Sequence, residues 1–293
     1  MNRTVWETKT FGNSLASLSD LGLKQWQNAY SDLENFSNRY LDFMLQQGLF
    51  PADYPWPIDP VHNPTRIWEY PYAYQQLLKY LPLAAQTETP KILDIGSALT
   101  FFPLFFASLG YRVQASDFDP SMERSFASIK AHPQALAALK DVDYATCDCR
   151  DMPKQADAEY DAVVGISVLE HVQDKQRCIK EFQRILKPKG ILILTLDVNL
   201  DATGAALSFA ELASLKNQLS NDFDFLEPDR EVKQKDILNN QNYPQALVRR
   251  TRYLKPPKKR PLKKLVRKFK NLFSQKNDME PLSVYGMALK KQG

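Results

Sequence analysis

Lys91-Ile92-Leu93-Asp94-Ile95-Gly96-Ser97-Ala98-Leu99-Thr100 is the stretch on which the fold turns. Its apolar run closes on an acid and a glycine, which reads as a strand buried on both faces that ends in a tight turn. Gly96 permits the turn and a close approach of backbone to a ligand. Thr100 stands where it could cap the next helix. Pro103 to Leu109 reads as that helix, with Gly110 just past its end. The exposed amides between strand and helix suit a ligand carboxylate or phosphate.

The alternation continues outward from this unit. Strands are expected at 112–117, 142–148, 160–166 and 191–196, with helices at 121–130 and 175–186 and a turn at Lys187-Pro188-Lys189-Gly190. Apolar strands separated by helices imply a buried parallel sheet with right-handed crossovers. Past Asp197 the pattern weakens to a helix at Ser208–Leu219 and a closing strand at Val284–Leu289. Upstream, the runs Leu18–Leu33 and Phe36–Met44 have helical spacing, Phe50–Pro57 must be loop, and a further helix is expected from Pro71 to Leu81. The chain therefore divides into an aromatic-rich helical cap (1–88), an α/β core (89–200) and a C-terminal part that completes the sheet (201–293).

Ligands of open α/β sheets bind outside the carboxyl ends of the strands, so the residues just after each strand carry the chemistry. Asp117 closes the second strand, 23 residues past Asp94, and can accept both hydroxyls of a ribose. Phe118 can pack beside an adenine ring. Asp148 can accept from an adenine amino group while the Cys149 amide donates to the ring. Glu170 and His171 are expected to open the helix after the fourth strand, where His171 can serve as a general base or merely order the loop. The segment Arg66-Ile67-Trp68-Glu69-Tyr70-Pro71-Tyr72 precedes the first strand by roughly 20 residues. Trp68 and Tyr70, with Glu170, are its candidates for enclosing a substrate, and plain core packing is the alternative.

Together with Arg184-Ile185-Leu186-Lys187-Pro188-Lys189-Gly190-Ile191-Leu192-Ile193-Leu194, these residues resemble the class I S-adenosylmethionine-dependent methyltransferases over about Lys91 to Leu196. The resemblance implies a doubly wound, mostly parallel, seven-stranded Rossmann-like sheet. It implies that Asp94, Gly96 and Ala98 line the methionine end of S-adenosylmethionine, that Asp117 takes the ribose, that Asp148 and Cys149 take the adenine, and that Ser167 lies beside the cofactor. Ala98 and Thr100 stand where the family usually has glycine, and Lys189 replaces a glycine in the turn. The implied activity is methyl transfer to a hydroxyl of a small molecule, glycan or lipid-linked acceptor. Two alternatives remain: a catalytically silent cofactor-binding module, and a nucleotide-dependent oxidoreductase, which would require G-x-G-x-x-G where only Gly96 stands.

Composition bounds the rest. The chain has 293 residues, 44% hydrophobic and 25% charged, enough for a large core. Three cysteines without a C-x-x-C pair and three scattered histidines predict neither a disulfide framework nor a metal site. The first twenty residues lack the apolar run of a secretory leader, and a cytoplasmic location is expected. Arg249 to Lys270 holds 12 basic and no acidic residues, against 26 basic and 34 acidic in the remainder. Within the expected insertion 249–275, residues 256–273 form an amphipathic basic stripe. It could lie on an anionic membrane, pack on the domain or, less favoured, contact nucleic acid.

Overall fold

The computed structural model describes residues 12–201, 206–244 and 281–293. The basic stripe falls outside the described residues. The sheet order is β4 (Val142–Thr146), β3 (Arg112–Asp117), β2 (Lys91–Ile95), β5 (Tyr160–Ile166), β6 (Leu186–Asn199) and β8 (Leu282–Lys291). Strands β2 to β6 pair in parallel, and β8 runs antiparallel to β6. The short strand β7 (Phe223–Phe225) joins β8, giving the seven strands expected. An eighth, β1 (Ser14–Leu15), comes from the N-terminal segment and shares the same edge of β8. The chain steps outward from β2 to β3 and β4, then returns to β5 on the other side. The resulting switch point between β2 and β5 opens a crevice at their carboxyl ends.

Each strand sends alternate side chains to opposite faces. Ile92, Val113, Val164 and Ile193 pack with α1 (Lys24–Gln46), α2 (Arg66–Tyr80), α3 (Phe102–Leu109) and α4 (Pro120–Lys130) on one face. Leu93, Val163, Leu192 and Leu194 pack with α5 (Lys175–Ile185) and α6 (Phe209–Leu219) on the other. Helix α3 ends on Gly110 at φ 105°, a left-handed cap. Helix α6 starts on a capping box in which Ser208 and Glu211 satisfy each other's backbone N–H.

Three expectations are corrected and one is refined. The two N-terminal helical runs join in the single helix α1 from Lys24 onward, because no breaker separates Leu33 from Phe36, while Leu18–Leu23 stay outside it around the 3₁₀ turn Ser19–Gly22. Helix α2 begins at Arg66 rather than Pro71, so Pro71 lies inside it. Proline removes the N–H that would bond the carbonyl four residues back. That carbonyl, Ile67 O, instead accepts from the Trp26 indole at 3.1 Å, which offsets the loss. The turn expected at 187–190 is present as a bulge inside β6: Leu186 lies opposite Tyr160 and Ile191 opposite Ala162, so the four residues between loop out, with Lys189 at φ 64° and Lys187 bonded to the Asp161 carboxylate at 2.8 Å. Thr100 does not cap α3; the residue before the helix is Phe101, which makes no side-chain cap.

The N-terminal cap is fastened to the sheet by polar as well as apolar contacts. Asp20 is buried, accepts from the Trp68 indole at 2.8 Å, and binds both terminal nitrogens of Arg230 at 2.7 Å. Trp68 stacks on Tyr72 with ring centroids 4.7 Å apart. Both rings lie over Gly286 of β8, where an added Cβ would come within 2.7 Å of Tyr72 and 2.9 Å of Trp68. Trp68 is therefore a core residue, not a wall of a substrate pocket: only a glycine strand lets its ring lie so close to the sheet. Among the described residues no helix is long and apolar enough to cross a membrane.

Candidate functional site

A cavity of about 670 Å³ opens at the carboxyl ends of β2 to β5, where the strand order reverses. From the turn after β2 it is bordered by Asp94, Gly96 and Ala98, and from β3 by Asp117 and Phe118. The loop after β4 brings Asp148 and Cys149, and β5 brings Ser167. Tyr70 and His171 also reach it, whereas Trp68 and Glu170 do not.

The turn after β2 is held in a conformation that few sequences tolerate. Gly96 has φ 66°, and a Cβ there would fall 2.5 Å from Val168 Cγ2. Both the backbone angle and the space demand glycine. Ala98 follows at φ 46°, left-handed without being glycine. Three tyrosines secure this loop. Tyr40 of α1 donates to Leu99 O at 2.8 Å, Tyr144 of β4 donates to Ala98 O at 2.9 Å, and the Tyr54 hydroxyl accepts from Leu99 N at 3.2 Å. The sequence reading missed all three, since an aromatic residue announces packing and not the backbone group its hydroxyl will meet.

Asp117 is buried and uses one oxygen for Ala98 N at 3.2 Å and the other for Asp119 N at 3.0 Å. Burial pushes its carboxyl up, while its backbone donors pull it down. Asp94 is more deeply enclosed; its Oδ2 has no hydrogen-bond partner, and burial with the Asp117 charge holds its carboxyl well above the usual range. Phe118 is 73% exposed beside the cavity, an apolar face open to a flat ring. Asp148 is held by Arg150 in a bidentate pair with Nη2 at 2.6 Å, which lowers its carboxyl. Arg150 also borders the cavity, so a ligand amino group would share Asp148 with it. The Cys149 thiol lies 3.3 Å from that of Cys178, and both are buried.

The far end of the cavity holds a cluster that the sequence reading only partly found. Glu69, fully buried on α2, pairs with Arg66 and accepts from Thr195 Oγ1 at 2.8 Å and from Ser167 Oγ at 2.5 Å. Arg66 also donates to Ser167 Oγ. Ser167 sits at φ 47°, a left-handed position that turns its side chain into this group. Asp197, at the end of β6, lies 3.3 Å from Ser167 Oγ; burial and the nearby Glu69 charge push it up to about 6. Glu170 is buried, accepts from Asp197 N at 2.8 Å through Oε1, and leaves Oε2 without a partner. Burial with the Asp197 charge holds its carboxyl well above the usual range.

Glu170 and His171 do not open α5. They lie in a short 3₁₀ turn, Leu169–His171, and α5 starts at Lys175 with Asp174 accepting from Arg177 N. The turn puts Glu170 inward and leaves His171 exposed at the cavity. Partial burial, with Arg66 and Lys175 nearby, depresses His171 below its ordinary 6.5, which favours the neutral imidazole.

The donor set fits S-adenosylmethionine. The unpartnered Asp94 oxygen calls for a donor such as an ammonium group, Asp117 retains lone pairs for two hydroxyls, and the open Phe118 face suits a purine. Fold and site together define a class I S-adenosylmethionine-dependent methyltransferase domain. The family model described as methyltransferase domain matches residues 93–194, the strands and turns that build the cavity.

Among curated proteins, the chain is 29% identical over 156 residues to the ubiquinone biosynthesis O-methyltransferase of Xanthomonas oryzae pv. oryzae, covering 53% of this chain and 57% of that enzyme. A counterpart from Xanthomonas axonopodis pv. citri is 27% identical over 185 residues, covering 62% and 70%. Among solved structures, the [4+2]-cyclase SpnF aligns at TM-score 0.53 and 18% identity, covering 92% of this chain and 97% of that one. Phosphoethanolamine N-methyltransferase 2 of Haemonchus contortus, solved with S-adenosylhomocysteine, aligns at 0.50 and 16%, covering 90% and 59%. At such identities the likeness is one of fold, and a cyclase among the neighbours shows that fold does not set the reaction.

Proposed function

We propose that this chain is an O-methyltransferase that acts on a hydroxyl of a small or lipid-linked acceptor. The observation that carries the reading is His171, an imidazole that borders the cavity with Glu170 and Asp197 beside it and whose neutral form is favoured there. A hydroxyl is a poor nucleophile until its proton is removed, and a neutral imidazole in reach of the acceptor can take it. The similarity to O-methyltransferases over the same core supports an oxygen acceptor.

The cofactor supplies an electrophilic methyl group when bound; the chain's own residues do the rest. Asp94, Asp117 and the loop amides hold and orient it. Tyr40, Tyr54 and Tyr144 keep that loop rigid, which matters because alignment of donor and acceptor can supply several kcal/mol of the barrier reduction. Tyr70, whose ring contacts Phe101 and Phe102 at 5.3 and 4.6 Å, forms an apolar wall for the acceptor.

The test is incubation of the full chain with methyl-labelled cofactor and a panel of phenols, lipid-linked phenols and host extract, with calorimetry of S-adenosylhomocysteine binding in parallel. Label recovered on an oxygen bears the reading out. Tight cofactor binding with no transfer to any acceptor would favour the silent binding module.

A further inference from the structure

Glu170, His171 and Asp197 place a carboxylate oxygen, a ring nitrogen and a second carboxylate oxygen within 4.8 Å of one another. Among the described residues neither carboxylate makes an ion pair: the neighbouring Arg66 is committed to Glu69 and Ser167. Glu170 is 6% exposed, and its Oε2 lies buried in this cluster without a hydrogen-bond partner. Glu170 Oε2 is thus a buried oxygen that the protein itself leaves unanswered, beside a second carboxylate and an imidazole nitrogen.

We propose that Glu170, His171 and Asp197 form a binding site for one divalent cation at the acceptor end of the cavity. Two carboxylates and one imidazole suit a hard-to-borderline ion such as Mg²⁺, Mn²⁺ or Zn²⁺, at ligand distances of about 2.1 Å. The spacing requires only small side-chain adjustments to reach one centre. Part of the surrounding support already exists. Asp197 N fixes the Glu170 carboxylate through Oε1 and leaves Oε2 for the ion, and the Ser167 hydroxyl lies beside Asp197. Because the third ligand, His171, borders the cavity, the remaining coordination positions face the space an acceptor would enter.

The role, though not the existence, of the site rests on the hydroxyl-acceptor reading. A bound cation would hold the acceptor oxygen and favour its ionised form, the proton leaving to solvent. His171 would then be a ligand rather than the proton acceptor.

The probe is Mn²⁺ alone, titrated into the metal-stripped full chain and followed by loss of the free-ion electron paramagnetic resonance signal, with S-adenosylhomocysteine calorimetry on the same sample. One Mn²⁺ per chain, displaced by Mg²⁺, is expected. Glu170→Gln and Asp197→Asn should each weaken uptake about tenfold or more and leave cofactor binding in place. A chain that binds the cofactor but takes up no Mn²⁺ at millimolar concentration would overturn the site. So would variants that bind Mn²⁺ as tightly as the parent. Failure of cofactor binding with Mn²⁺ uptake intact would instead strike the functional reading and leave the site standing.

Discussion

The Trp26 indole of α1 donates to the Ile67 carbonyl of α2 at 3.1 Å, and this is the carbonyl that Pro71 deprives of its helical partner. A side chain 45 positions upstream of the proline thus completes the ladder the proline interrupts. Trp26→Phe leaves the buried carbonyl unsatisfied and should destabilise the fold by about 1–3 kcal/mol. Pro71→Ala restores a local N–H, so the same tryptophan change should cost less in that background. A double-mutant cycle from urea unfolding reads the coupling, and additive effects would show that the two residues do not share the carbonyl.

Gly96→Ala meets two obstacles at once, a φ of 66° and a Cβ placed 2.5 Å from Val168 Cγ2. The expected result is a lower melting temperature and loss of cofactor binding, because the turn must open to admit the methyl group. Val168→Ala in the same chain should recover part of the stability, since it removes the contact but not the backbone strain of about 1–2 kcal/mol. A Gly96→Ala protein with parental melting and affinity would contradict the described turn.

Asp117→Ala should weaken S-adenosylmethionine binding by about 1–3 kcal/mol, through loss of an acceptor for the ribose hydroxyls. The effect has a second source, since Asp117 also holds the Ala98 amide at 3.2 Å. Asp117→Asn, which keeps one acceptor for that amide, should fall between parent and alanine. Calorimetry on folded variants decides; unchanged affinity for both would remove Asp117 from the site.

Asp197 titrates in the folded chain at about 6, raised from an ordinary 3.8 by burial and the charge of Glu69. An acid whose folded value is raised favours its protonated form in the fold. That contribution is complete below about pH 4 and is lost as pH rises through about 6. Asp197→Asn should therefore gain stability relative to the parent between those values and hold a constant difference above them. Chemical unfolding at several pH values, with chelator present, measures this. A difference that ignores pH would mean that Asp197 is not enclosed with Glu69.

His171→Gln should slow methyl transfer by about 10²-fold or more, the usual contribution of a positioned acid–base group. Affinity for S-adenosylhomocysteine should stay at the parental value, because His171 stands at the acceptor end of the cavity. If turnover with an identified acceptor is unchanged, His171 only orders the 3₁₀ turn.

The sequence by itself determined the parallel core. Apolar strands at 91–95, 112–117 and 160–166 and the helices between them are local signals, set by periodicity, Gly110 and strand-end acids. It also singled out the strand-end residues that border the cavity, because a parallel sheet puts every strand's carboxyl end on one edge. What only the tertiary structure decided lies where distant segments meet. Pro71 within α2 depends on Trp26, the fit of Trp68 depends on Gly286, and the loop at 96–100 depends on hydroxyls from α1, β4 and the 50–57 loop. The carboxylates Glu69, Glu170 and Asp197 are separated by 101 and 27 positions, and no local spacing marks them as partners. A side chain's periodicity records which face of its own element it occupies. Its hydrogen-bond partner is fixed only when another element is packed against that face.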